Sequence, residues 1–255
     1  MLKQLKEADF ESLEKSIAGN DRNLLEDYSK SIDLLISEIN INLLFHNFTK
    51  FKESNNGLKG IYVNGYYMNK ETKMNSIKEI LNKTNVNTLV IDAKTDNGHV
   101  LFDSQSPETD VLKNERIKYD AASLEELRKI KDIYLIARIV VFQDPLFAKT
   151  FKEEAIFDSK NNRIYSQNEQ YFLDPSSQRA RDYTLSLAIE ACQLGFNEIQ
   201  FDYIRYPDST YQYMVFKEKN NYLNRTNNIN SFLGEAKEAL HKEAAWSRPI
   251  FLDLF

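Results

Sequence analysis

Phe196-Asn197-Glu198-Ile199-Gln200-Phe201-Asp202-Tyr203-Ile204-Arg205-Tyr206-Pro207 reads as a buried strand with polar groups near its end. The two-residue period of a strand sets Gln200 and Asp202 on one face and Phe201 and Tyr203 on the other. Pro207 stops the strand. A carboxylate at the C-terminal end of a strand, beside aromatics and an arginine, stands where an α/β barrel places its reactive groups.

Outward from this block the chain alternates strands and helices. Upstream, a helix is expected from about Ser177 to Leu194, ended by Gly195 in a left-handed cap. Strands are expected over Ile133 to Phe142, Thr88 to Asp92 and Gly60 to Asn64. Helices are expected around Lys73 to Thr84 and Ser123 to Ile130, the latter opened by a capping box of Ser123 and Glu126. Between Phe142 and Ser177 the composition reads as a long loop. Downstream, a helix over about Asn230 to His241 leads to a fifth strand, Pro249 to Phe255. The strands are apolar on both faces, as parallel strands covered by helices are. Such alternation means an α/β sheet, either a barrel or an open doubly wound sheet. No Gly-rich phosphate turn follows the first strand, where the sequence is Asn64-Gly65-Tyr66-Tyr67, and this disfavours a nucleotide-binding open sheet. The expected fold is therefore a partial TIM (β/α)8-type barrel, with about five of eight strands.

Residues 1–57 read as a helical N-terminal extension, with Leu13, Ile17, Leu24, Leu25, Tyr28, Ile32, Leu35, Ile36 and Ile39 at three- and four-residue spacings. Residues 58–255 read as the incomplete barrel. The formal charge of -5, with Lys and Arg scattered among Asp and Glu, argues against a nucleic-acid partner. No apolar run reaches the ~18 residues of a membrane span. The first residues, Met1 to Glu7, lack a signal-peptide apolar core. As written the sequence reads as cytoplasmic, although the compartment of a longer parent chain is open. A single cysteine, Cys192, excludes an intrachain disulfide and sits among apolar neighbours as a packing residue. None of His46, His99 and His241 pairs with cysteine or acidic residues at metal-ligand spacing, so neither a metal nor a cofactor is expected.

Four blocks resemble a known family. They are Lys59 to Val63, Leu89 to Gly98, Ala137 to Pro145 and Gly195 to Pro207, and their order and spacing agree with it as well. The family is the glycosyl hydrolase domain family still labelled as a domain of unknown function, and it has a TIM-barrel fold. Asp174-Pro175 fits a further family element, with Leu173 where such proteins often carry tryptophan. The resemblance implies hydrolysis of a glycosidic bond in an oligo- or polysaccharide. Similarity to barrel glycosidases of the amylase and α-galactosidase kinds implies a nucleophile at the end of the fourth strand, where Asp202 falls.

Glycoside cleavage normally needs two carboxyl groups. Asp202 is the leading candidate, as nucleophile or base; its alternative is a structural partner of Arg205 or Arg138. Asp253, on the fifth strand, is the candidate second carboxyl if its register brings it to the same mouth. Alternation puts Asp92 and Lys94 on one face, as an ion pair that either lines a sugar pocket or holds the loop Lys94 to Gly98. Arg138, charged within an apolar strand, must be paired, and Asp92 or Asp202 are natural partners. Asp144 either binds sugar hydroxyls or caps its turn, with the cap favoured. Tyr203 and Arg205 complete the candidate sugar-binding set. Tyr66, Tyr67, Phe142 and Tyr206 are further aromatics at strand ends.

A second class of function remains open: a truncated, inactive remnant or carbohydrate-binding protein lacking strands six to eight. Its unpaired fifth-strand edge invites self-association.

Overall fold

The computed structural model describes residues 53, 57–112, 118–208, 211–242 and 250–252. The expected helical extension over residues 1–57 lies almost wholly outside them.

Among the described residues, five parallel strands form the main sheet. They are β1 (Gly60–Val63), β2 (Thr88–Lys94), β3 (Tyr134–Val140), β8 (Glu198–Asp202) and β10 (Ile250–Leu252), paired in that order. Each new long strand is added at the same edge of the sheet. The crossovers run through α1 (Glu71–Lys83), α3 (Ala121–Arg128), α5 (Gln178–Gln193) and α6 (Tyr222–Lys242). A short helix, α2 (Pro107–Val111), also precedes β3, and another, α4 (Pro145–Thr150), follows it. Parallel strands wound in chain order under helices are the arrangement of a partial (β/α) barrel.

Strand alternation explains the core. Leu89, Ile91, Ala93, Leu135, Ala137, Ile139, Val141, Ile199 and Phe201 turn one way and are buried against Leu81, Leu124, Leu127, Ala188 and Ala191 of the helices. Phe232 of α6 packs edge-on against both Phe142 and Phe201, at 5.4 Å between ring centroids in each case. Cys192 is buried in the same layer. The opposite face carries Tyr62, Asp92, Arg138, Glu198, Gln200 and Asp202, so the polar residues of the central strands share one side of the sheet.

Several helix ends differ from expectation for local reasons. The cap of α3 is Asp120, three residues before Ser123: Asp120 accepts the Ser123 amide and hydroxyl, each at 2.9 Å. Glu126 is then free of the box and pairs with Lys78 of α1 at 2.8 Å. Helix α6 begins eight residues earlier than its apolar pattern, because Asn221 accepts the Asn224 amide at 2.9 Å and starts a turn inside a polar run. The predicted end of α5 holds: Ser177 caps its start through the Ala180 amide, and Gly195 has φ +104 beyond its end.

The segment read as a long loop contains two-residue strands too short to show alternation. β4 (Phe157–Asp158) pairs antiparallel with β5 (Arg163–Ile164) and with β9 (Met214–Val215), and β6 (Ser166–Gln167) pairs with β7 (Gln170–Tyr171). Asp174 links this excursion to the start of α5, accepting the amides of Ser176 and Lys217 at 2.9 and 2.6 Å. Among the described residues no helix is long and apolar enough to cross a membrane.

Candidate active site

The polar face of the sheet ends in a charged bridge. Asp92 and Arg138 lie opposite each other in the register of β2 and β3, and β3 pairs Arg138 with Gln200 and Val140 with Asp202. The Arg138 guanidinium spans both carboxylates. Its Nη1 donates to Asp92 Oδ1 at 2.7 Å, and its Nε and Nη2 donate to Asp202 Oδ2 at 2.8 and 2.5 Å. Charge-assisted bonds of this length are strong. Burial acts against the Arg138 charge, but the bonds and charges of Asp92 and then Asp202 outweigh it and hold its pKa above the usual arginine range.

Each carboxylate has a further anchor. Tyr62 of β1 donates its hydroxyl to Asp92 Oδ2 at 2.5 Å. Burial, then this hydrogen bond, push the Tyr62 phenol well above its ordinary pKa, which keeps it the donor. Asp202 Oδ1 accepts the amide of Tyr203 at 2.7 Å. That bond accompanies an uncommon backbone: Tyr203 has φ 54, in the left-handed region. The same conformation ends β8 at Asp202, well before Pro207, the residue expected to stop the strand.

Asp92 and Arg138 of the bridge line a cleft of about 430 Å³ together with Tyr62, Asn64, Tyr66, Thr95, Asp96 and Asn97, and Asp202 lies outside that lining. Its rim is built by a tight turn. Asn64 accepts the Tyr66 amide at 3.0 Å, and the intervening Gly65 packs so closely that a Cβ there would stand 2.4 Å from the Asp92 carbonyl oxygen. Glycine is the residue that permits this approach.

Asp92 and Lys94 do not share a face. The β2–β3 register shifts between Asp92 and Lys94, and this bulge at Ala93 turns Lys94 to the other side. Lys94 is fully buried, with Nζ 2.9 Å from Asp144 Oδ2 and 2.6 Å from the Val140 carbonyl. Asp144, also fully buried, caps α4 by accepting the Phe147 amide at 2.8 Å. Neither residue lines the cleft. They brace the loop that does: at Gly98, with φ +81, a Cβ would meet Asp144 Oδ1 at 2.1 Å. Arg205 pairs with Asp208, and its guanidinium stands over the Tyr203 ring at 5.2 Å; both lie outside the cleft lining. Asp253 is outside the described residues.

Sequence reasoning misses Tyr62 of the bridge and Asn64, Thr95 and Asn97 of the cleft lining. The signal for Tyr62 is present, since alternation along Ile61-Tyr62-Val63 puts it opposite two apolar neighbours. Among the described residues no group of three or more His, Cys, Asp or Glu side chains is placed to hold a metal ion.

Residues 60–252 match the family model described as "Putative glycosyl hydrolase domain". The chain belongs to that family. Solved structures with the same fold extend the comparison of this glycosyl hydrolase-domain chain. A hypothetical protein from Ruminiclostridium thermocellum is 28% identical with a TM-score of 0.66, over 76% of this chain and 97% of that one. The α-L-fucosidase isoenzyme 2 of Paenibacillus thiaminolyticus is 14% identical with a TM-score of 0.50, over 77% of this chain and 32% of that one. The pneumococcal exo-β-D-N-acetylglucosaminidase StrH gives 13% identity and a TM-score of 0.51, over 76% of this chain and 53% of that one. The chain thus spans about a third and half of these two enzymes, and at such identity the likeness is one of fold. No curated protein sequence matches it significantly.

Proposed function

We propose that this chain hydrolyses glycosidic bonds in an oligo- or polysaccharide, with carboxylate chemistry centred on Asp202. The observation that carries the reading is the Arg138 bridge, which holds two carboxylates at the C-terminal rim of a parallel sheet, one of them, Asp92, lining an open polar cleft. That rim is where barrel enzymes keep their reactive groups.

Asp202 is the nucleophile or the base. As nucleophile its carboxylate forms a bond to the anomeric carbon while the glycosidic bond breaks, and water later displaces it. As base it takes a proton from the water that attacks the same carbon. Either route needs a second carboxyl to protonate the leaving oxygen. Asp253 is the candidate for that acid. Arg138 is charge-matched to an ionised carboxylate, and the Tyr203 amide fixes the rotamer of Asp202.

The test is release of reducing ends from a panel of neutral poly- and oligosaccharides, by the intact chain and by Asp202→Asn. The isosteric amide is expected to abolish turnover. Undiminished turnover in that variant removes the reading. One observation favours a second reading, carbohydrate binding without turnover: both Asp202 oxygens are already engaged, by Arg138 and by the Tyr203 amide. Ligand binding by the intact chain with no hydrolysis is its signature.

A further inference from the structure

Tyr62 combines exposure with fixation. It is 55% exposed, the most open aromatic of the cleft, although its neighbours Ile61 and Val63 pack into the core. An exposed tyrosine normally samples several rotamers. This one is held at two points: its hydroxyl is bound to Asp92 at 2.5 Å, and its ring stands over the Arg138 guanidinium, 5.9 Å from the ring centroid. The π-face of an aromatic ring is negative, and it attracts the weakly positive C–H hydrogens on the apolar face of a pyranose. A ring already fixed loses little entropy when a ligand lies on it.

The charge of the lining selects among sugars. Arg138 is the one cation among the cleft's described lining residues, and both its partners are carboxylates. Lys94, the nearest lysine along β2, is turned behind the sheet onto Asp144. Asp96 adds a further carboxylate to the lining. An anionic sugar entering here meets acidic groups with no cation left to pair it, a repulsive arrangement. A neutral sugar meets hydroxyl, amide and carboxylate partners from Asn64, Thr95, Asp96 and Asn97. The volume of about 430 Å³ lies within the ~300–1,000 Å³ of small-molecule sites.

We propose that Tyr62 is the stacking platform of a subsite for a neutral pyranose, its ring carrying the sugar while its hydroxyl fixes Asp92. The inference rests on the hydrolase reading for its ligand class, but binding alone tests it. Isothermal titration of the intact chain uses three probes: neutral cello-oligosaccharide, neutral N-acetylchito-oligosaccharide and anionic oligogalacturonate. At least one neutral probe is expected to bind and the anionic one is not. Tyr62→Ala is expected to weaken binding on the order of tenfold, the scale of one aromatic contact, whereas Tyr62→Phe stays within about twofold. If Tyr62→Ala is unfolded by circular dichroism, Tyr62→Leu takes its place. Four results overturn the proposal. They are unchanged affinity without the ring, equal loss in Tyr62→Phe and Tyr62→Ala, preference for the anionic probe, and no neutral probe bound. A chain that binds through Tyr62 but releases no reducing ends refutes hydrolysis and leaves the subsite standing.

Discussion

Arg138 and Asp202 meet side-on, with both Nε and Nη2 of the guanidinium directed at the single oxygen Oδ2, at 2.8 and 2.5 Å. The remaining corner, Nη1, is given to Asp92 at 2.7 Å. One planar cation therefore ties the end of β8 to the end of β2 across β3. A lysine cannot reproduce this, because its ammonium is a point charge without the fork geometry.

Arg138→Lys is accordingly expected to lose one of the two carboxylates and most glycan turnover, and Arg138→Met to lose both. The arginine side chain is 19% exposed and its partners are 3% and 15% exposed, so the pair is largely but not fully desolvated. Leaving two carboxylates near each other without their cation is expected to destabilise the fold by about 3 kcal/mol, the lower part of the range for breaking a buried pair. Urea unfolding of the two variants beside the intact chain measures it.

The brace behind the cleft gives a separable effect. Lys94 and Asp144 are both fully buried. Lys94→Met strands the Asp144 carboxylate, and Asp144→Leu strands the lysine and removes the cap of α4, so each single change is expected to cost about 3–5 kcal/mol. The double change leaves no orphaned charge and is expected to cost less than the sum of the two. A double-mutant cycle by denaturant unfolding reads that difference. Gly98→Ala should damage the same contact, since its Cβ would meet Asp144 Oδ1 at 2.1 Å in a backbone at φ +81.

Tyr203 isolates the backbone contribution at the site. Its φ of 54 disfavours any residue with a Cβ. Tyr203→Gly is expected to be more stable than Tyr203→Ala by about 1 kcal/mol, because both lack the ring and only alanine pays for the left-handed conformation. Thermal unfolding of the two variants decides it; an alanine variant as stable as the glycine one contradicts the strain argument.

Much of this architecture is legible in the sequence. The long strands β2, β3 and β8, the helix from about Ser177 and its Gly195 terminus follow from apolar runs and turn chemistry, and Arg138 reads as a charge that needs partners. What escaped the sequence depended on single backbone departures. The bulge at Ala93 reverses Lys94, and the left-handed Tyr203 cuts β8 short. Neither leaves a mark in a hydropathy pattern, because the residues on either side keep their apolar or polar character. Ser123 and Glu126 offer the capping motif three residues after Asp120 and mask it in the sequence, yet Asp120 takes the role by accepting two bonds from Ser123 at once.

Glu198 gives the chain a pH dependence. It is 5% exposed, near the start of β8 on the same face as Asp202. Burial pushes its pKa from 4.5 up to about 7, partly opposed by a hydrogen bond with Tyr134. Between these values the folded state holds a proton that the unfolded chain has released. Stability is therefore greatest below about pH 4.5 for this group alone, falls as pH rises through 7, and stays reduced above it. A difference of that size corresponds to about 3 kcal/mol as an upper figure. Glu198→Gln cannot ionise. It is expected to be more stable than the intact chain at about pH 8, by up to roughly 3 kcal/mol, with most of the gain gone at about pH 5. Urea titrations of both proteins at the two pH values give the comparison. An equal difference at both would mean that Glu198 is charged in the fold throughout, and that burial does not govern its titration.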